Sequence, residues 1–209
     1  MLKILSLFSG IGAYEKALAR LDIPFEVTGY SEIDRYASAV YSAIHGLPET
    51  MNLGDITKIN EKDLPRDIDL ISYSAPCQDV SVAGHQKGLI DENGNKTRTG
   101  LVFDAVRIIS EVKPKYAVAE NVKGLVSRKF RDQFEFILSL LEEAGYNNYW
   151  KVLNAKDYGI PQNRERVFLV SIRKDIDDRS FEQNDVKPNS PYLFVSQRGT
   201  KMDRSTIFR

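Results

Sequence analysis

The chain has 209 residues, 42% of them hydrophobic and 28% charged, a balance that fits a folded globular protein and excludes a disordered one. Twenty-nine basic residues against 29 acidic ones leave no net charge, which excludes a generally cationic coat for nucleic acid but allows a local basic face. One cysteine and two histidines exclude an intramolecular disulfide and a thiolate-rich zinc site, and no metal is expected.

Residues 2–8 read as a strand that runs straight into Gly10 and Gly12. Tyr14, Ala17, Leu18 and Leu21 then recur at helical spacing. Residues 25–30 read as a second strand, and Asp34 caps a helix whose expected apolar face is Ala37, Val40, Tyr41 and Ile44, ended by Gly46. The longest stretch without a formal charge, residues 36–48, falls short of the ~20 apolar residues of a membrane span. A cytoplasmic protein with no membrane partner is expected.

Residues 68–74 form a third strand candidate, delivering the chain to Pro76-Cys77-Gln78. From there to Thr99 the sequence is polar and glycine-rich, without periodicity, and a loop of that length in a compact domain is usually functional. Leu101, Val102, Ala105, Ile108, Ile109 and Val112 mark a helix that stops before Pro114. Residues 116–119 suggest a short buried strand. Phe134, Ile137, Leu138 and Leu141 line a helix ending at Gly145, and residues 149–153 and 167–172 are further strands. Such alternation predicts an α/β fold, a mostly parallel sheet with helices on both faces. The expected domain is 1–175; residues 176–209 read as a linker and a C-terminal fragment with one apolar run, 192–195.

Ligands of open α/β sheets bind beyond the carboxyl ends of the strands, and several chemically distinctive residues fall there. Phe8-Ser9-Gly10-Ile11-Gly12 lets backbone approach a ligand closely, but lacks the third glycine of the dinucleotide fingerprint and is equally a structural turn. Glu32 ends the second strand about 20 residues on, where an acid commonly binds ribose hydroxyls, or simply enters a helix in solvent. Asp55, after Gly54, can accept from an adenine amino group or serve an ordinary turn. Cys77 is either a buried, inert thiol or a nucleophile at the mouth of a long loop. Glu120 ends the next strand as a candidate general acid, or as a strand-end carboxylate reaching solvent. Arg164 and Arg166, in Gln162-Asn163-Arg164-Glu165-Arg166, can orient Glu120, grip phosphate or line a solvated turn.

Taken together, Phe-x-Gly-x-Gly, Pro-Cys-Gln, Glu-Asn-Val (Glu120-Asn121-Val122) and Gln-x-Arg-x-Arg, in this order, resemble the cytosine-5 DNA methyltransferase family over residues 2 to roughly 173. Thr99-Gly100-Leu101-Val102-Phe103 is similar to the family's segment after the catalytic loop, while Val80 stands where phenylalanine is usual. The resemblance implies a Rossmann-like S-adenosylmethionine-dependent fold with S-adenosylmethionine as cofactor and double-stranded DNA as partner. It implies that Cys77 attacks C6 of a flipped-out cytosine, that Glu120 supplies a proton near N3, and that Arg164 and Arg166 brace both. Phe8, Gly10, Gly12, Glu32, Asp55 and Pro76 match cofactor-site positions, with Ile33, Ile56 and Leu101 as apolar contacts to adenine. A tRNA-methylating branch shares these motifs, so tRNA is the second substrate class. Nothing in residues 180–209 resembles the family's target-recognition region or closing helix. The chain is therefore expected to have little sequence-specific activity alone, and to need a second chain or self-association. A non-catalytic, truncated or split partner is the third reading. Lys123, Arg128, Lys129 and Arg131, with Lys151, Lys156, Arg164, Arg166, Arg173 and Lys174, are expected to form local basic faces for DNA.

Overall fold

The computed structural model describes residues 1–81, 87–91 and 95–179. The expectations placed on 180–209 lie outside the described residues, as does part of the loop after Cys77. In chain order come β1 (Leu2–Leu7), α1 (Ala13–Arg20), β2 (Phe25–Ser31), α2 (Arg35–His45), β3 (Leu70–Tyr73), α3 (Val102–Val112), β4 (Tyr116–Val122), α4 (Arg131–Glu143), β5 (Tyr146–Asn154) and β6 (Glu165–Arg173). The strands form one sheet in the order β2-β1-β3-β4-β6-β5. β2, β1, β3 and β4 pair in parallel, whereas β6 runs antiparallel to both β4 and β5.

Apolar side chains cover both faces of the central strands, as a sheet clothed by helices requires. Leu2 and Ile4 of β1 pack with Leu18 of α1 on one face. Leu5 and Leu7 join Ile71, Ala117 and the inward sides of α3 and α4 on the other. Helix ends follow their expected chemistry. Asp34 accepts from the amides of Tyr36 and Ala37, and Gly46 closes α2 in the left-handed region. Lys113 takes the same conformation, at φ 52°, immediately ahead of Pro114.

Two expectations need correction. α2 does not bury Ala37, Val40 and Ile44 with Tyr41: Val40 and Ile44 are exposed, and the buried pair is Ser38 and Tyr41. The inward face is polar and aromatic because it meets a hydrogen-bonded network. Tyr41 donates to the buried Glu15 carboxylate at 2.7 Å and stacks on Tyr30, with ring centroids 4.2 Å apart. The second correction concerns β4, expected to stop at 119. Pairing with β6 carries it through Glu120 to Val122, where apolar content no longer signals a strand.

Candidate active site

β1 lies between β2 and β3, and the chain leaves it leftward to β2 before returning to β3 on the right. The crevice of an open α/β sheet opens at such a reversal. Register places Leu7 opposite both Ser31 and Tyr73, and Tyr73 opposite Ala119. Phe8, Glu32 and Ser74 therefore leave the sheet at one level, side by side with Glu120, which β6 keeps in β4.

The glycine turn is conformationally unusual. Phe8, Gly10 and Gly12 all have positive φ, at 54°, 54° and 85°. A left-handed phenylalanine costs on the order of 1–2 kcal/mol, strain of the kind concentrated at ligand sites. Gly12 is constrained twice, since a Cβ there would also collide with the His45 ring. Gly10 donates its amide to Glu32 Oε2 at 2.9 Å, while Oε1 accepts from the Asp34 amide at 2.8 Å. Two residues expected at the cofactor thus touch each other. Ser9 Oγ is buried in this turn with no hydrogen-bond partner among the described residues.

Asn52 organises the rim of this site and was not legible as a site residue. Its Oδ1 accepts from the amides of Glu32 and Gly54, and its Nδ2 donates to Glu32 O and Ser38 Oγ. The only sequence signal was an asparagine two residues before a glycine, the signature of a side-chain-stabilised turn. Asp55 Oδ1 caps a 3-10 turn, Ile56–Lys58, and the amide and hydroxyl of Thr57 hold its carboxyl below the usual range. Ile33 stands at the rim, 75% exposed, whereas Ile56 is packed into the core and offers little surface to a ligand. Leu101 is half-buried at the end of the 3-10 turn Thr99–Leu101.

Across the crevice, Cys77 is a free, half-buried thiol. Its carbonyl accepts from the amides of Val80 and Ser81, folding residues 77–81 into a turn. Asn121 reaches back from β4 to donate to Ala75 O at 3.2 Å, fixing the stem just before Pro76. Glu120 is partly buried, and Arg166 of β6 lies 2.9 Å from its Oε1. Glu120, Tyr73, Ala75 and Asn121 line a small cavity of about 30 Å³ whose other walls are apolar. Arg164 is exposed, and no ion pair joins it to Glu120 among the described residues. Of the two expected arginines, Arg166 is the one paired with Glu120 here.

Tyr14 ties the two halves together. Its hydroxyl shares a 3.2 Å hydrogen bond with Ser74 Oγ, and burial raises its pKa well above the ordinary tyrosine value, with the Glu120 charge adding to the effect. Among the described residues no group of three His, Cys, Asp or Glu side chains could hold a metal ion, and no helix is long and apolar enough to cross a membrane.

Residues 2–204 match the model of the C-5 cytosine-specific DNA methylase family. The chain belongs to that family. Among its relatives, the orphan methyltransferase M.SPRI of Bacillus phage SPR is 43% identical over 175 residues, 84% of this chain and 38% of the relative. The type II methyltransferase M.HhaI of Haemophilus parahaemolyticus is 39% identical over 182 residues, 87% of this chain and 52% of the relative. A crystal structure of a mutant DNMT2 of Spodoptera frugiperda superposes with a TM-score of 0.69 at 25% identity, covering 94% of this chain and 57% of that one. The C-5 methylase family thus accounts for the α/β architecture, and this chain spans about two fifths to a little over half of the length of these three proteins.

Proposed function

We propose that this chain carries the cofactor-binding and catalytic part of a DNA cytosine-5 methyltransferase, with residues 1–175 as one catalytic unit. The observation that carries the reading is the placement of Cys77 just past the end of β3 and of Glu120 among the last pairs of the adjacent β4, with Arg166 held against Glu120.

The residues present fit S-adenosylmethionine. A turn of positive-φ glycines, an unpartnered buried Ser9 hydroxyl and the adjacent Glu32 carboxylate make a polar cradle, and Ile33 supplies exposed apolar surface beside it. Glu32 would hold the ribose, Asp55 the adenine amino group, and Ile33 and Leu101 the adenine faces, with Phe8, Gly10, Gly12 and Pro76 shaping the walls. The bound cofactor supplies an electrophilic methyl group.

The chain's own residues do the rest. The Cys77 thiolate adds to C6 of a cytosine swung out of its stack, which a stacked base would not permit. Electrons move towards N3, where Glu120 delivers a proton and Arg166 fixes the carboxyl's orientation. C5 becomes nucleophilic and would take the cofactor's methyl group, leaving the neutral thioether; a base then removes the C5 proton, Cys77 departs as thiolate, and N3 returns its proton to Glu120, which restores the ring. Duplex DNA is the proposed substrate, within the cytoplasm, and a second chain or a second copy is the proposed protein partner.

The test is transfer of labelled methyl groups from S-adenosylmethionine to duplex DNA and, in parallel, to tRNA, by wild type and Cys77→Ala. Transfer to DNA that vanishes in Cys77→Ala supports the reading. Transfer to tRNA alone would replace the substrate, and undiminished transfer by Cys77→Ala would remove Cys77 from the chemistry.

A further inference from the structure

Asp79 is a buried carboxylate that none of the steps above uses. It lies two residues after Cys77, and its partner is Thr99, itself buried and 20 residues further along the chain. The two bond reciprocally. The Thr99 amide donates to Asp79 Oδ2 at 3.2 Å, and the Asp79 amide donates to Thr99 Oγ1 at 3.1 Å. A buried carboxylate is tolerated only where donors meet it, and an apolar side chain would fill the same space without that requirement. The residue type at 79 thus answers to the amide of Thr99 and not to volume.

Other contacts extend this joint. Gly88 donates its amide to Asp79 O at 2.8 Å, Thr97 Oγ1 donates to Gly88 O at 2.7 Å, and the Gly100 amide donates to Thr97 Oγ1 at 3.1 Å. Gly100 lies so close to Leu89 O that any Cβ would collide with it. On the opposite side, Gly124, just past β4, approaches Val80 O equally closely. The turn at 77–81 is therefore wedged between the Thr99–Leu101 turn and the end of the Glu120 strand.

We propose that Asp79 and Thr99 are positioning residues: a clasp that sets Cys77 in its turn and fixes that turn to the segment carrying Leu101. Nucleophile and cofactor wall then move as one piece. The proposal rests on the methyltransferase reading for what Cys77 attacks, but the clasp itself is tested without methyl transfer.

Cys77 is the chain's only cysteine, so iodoacetamide alkylation of the full chain reports this thiol alone. Thr99→Val keeps the shape and removes the hydroxyl, and should make alkylation several-fold faster. Thr99→Ser restores the hydroxyl and should return the rate to that of wild type. Ile172→Val, a core change at the opposite end of β4, corrects for general loosening and should leave the rate unchanged. In wild type, hydrogen exchange of the Asp79 and Thr99 amides should be as slow as in β3, and this result decides the matter if Thr99→Val does not fold. Wild-type alkylation rates in folded Thr99→Val, or exchange of either amide at open-loop rates, would overturn the clasp. A chain with both signatures that methylates neither DNA nor tRNA would overturn the methyltransferase reading and leave the clasp standing.

Discussion

Arg166 Nε lies 2.9 Å from Glu120 Oε1, across the antiparallel ladder joining β6 to β4. Hydrogen bonds to charged groups contribute about 1.5–3 kcal/mol, so Arg166→Leu should slow methyl transfer roughly tenfold to a hundredfold. Arg164→Leu should leave kcat nearly intact and act, if at all, on DNA affinity. Steady-state kinetics of the two variants side by side separate these roles, and equal losses would restore the pair.

Glu32 accepts two backbone amides, from Gly10 and Asp34, one through each carboxylate oxygen. Glu32→Gln turns an NH₂ group towards one of those amides, setting donor against donor. Calorimetry should find S-adenosylmethionine binding weaker by on the order of 1–3 kcal/mol, with a lowered melting temperature. Unchanged affinity would show that the carboxylate serves the turn alone.

Gly12→Ala should be penalised by its φ of 85° and by the collision with His45. The backbone part alone is about 1–2 kcal/mol. His45→Ala removes the collision along with its own contacts to Ile11 O and the Tyr41 ring, so Gly12→Ala should cost less in the His45→Ala background than in wild type. Thermal melts of the four proteins form the cycle, and strict additivity would mean that His45 yields without cost.

Glu15 is buried on α1 and accepts from Ser6 of β1 and Tyr41 of α2. Tyr41→Phe removes one donor and should cost about 1–3 kcal/mol, lowering the melting temperature by several degrees. Glu15→Ala should cost more, because it leaves Ser6 and Tyr41 with an unfilled pocket between them. Melting curves that fail to rank the variants in this order would mean the network relaxes around the loss.

The local basic face is partly neutralised. Lys123 pairs with Glu165 at 2.9 Å, and Arg131 with Glu135 at 2.7 Å. Glu165→Gln frees Lys123, and should tighten DNA binding and steepen the salt dependence by about one phosphate's worth of counterion release. Binding titrations across a salt series measure the slope directly. An unchanged slope would place Lys123 away from the DNA.

Fold and family motifs were legible because they rest on short-range signals: apolar runs, capping residues such as Asp34, and residue types with few alternative uses. Gly10 and Glu32 were each read as cofactor residues, but their contact was not, since it depends on how β1 and β2 pair. α2 misled because periodicity scores apolarity, and here the inward face is Ser38 and Tyr41 bonded to buried polar partners. Asn52, Tyr14 and Asp79 are polar residues in unremarkable sequence settings, and only their burial against amides and hydroxyls distinguishes them. β4 ran past its apolar segment because a non-local partner, β6, supplied the hydrogen bonds.

That partner also dictates when the active arrangement can exist during synthesis. Among the described residues β5 joins the sheet only through β6, and β6 follows the other five strands in the chain. Until residues 165–173 emerge, β4 keeps an unpaired edge, β5 has no docking strand and Glu120 has no Arg166. Long-range insertion of a strand between two earlier ones is slow, because distant segments must meet before any contact rewards them. A nascent chain can hence assemble its glycine turn and the strand leading to Cys77 early, yet Glu120, the proposed proton donor, gains Arg166 only when β6 docks.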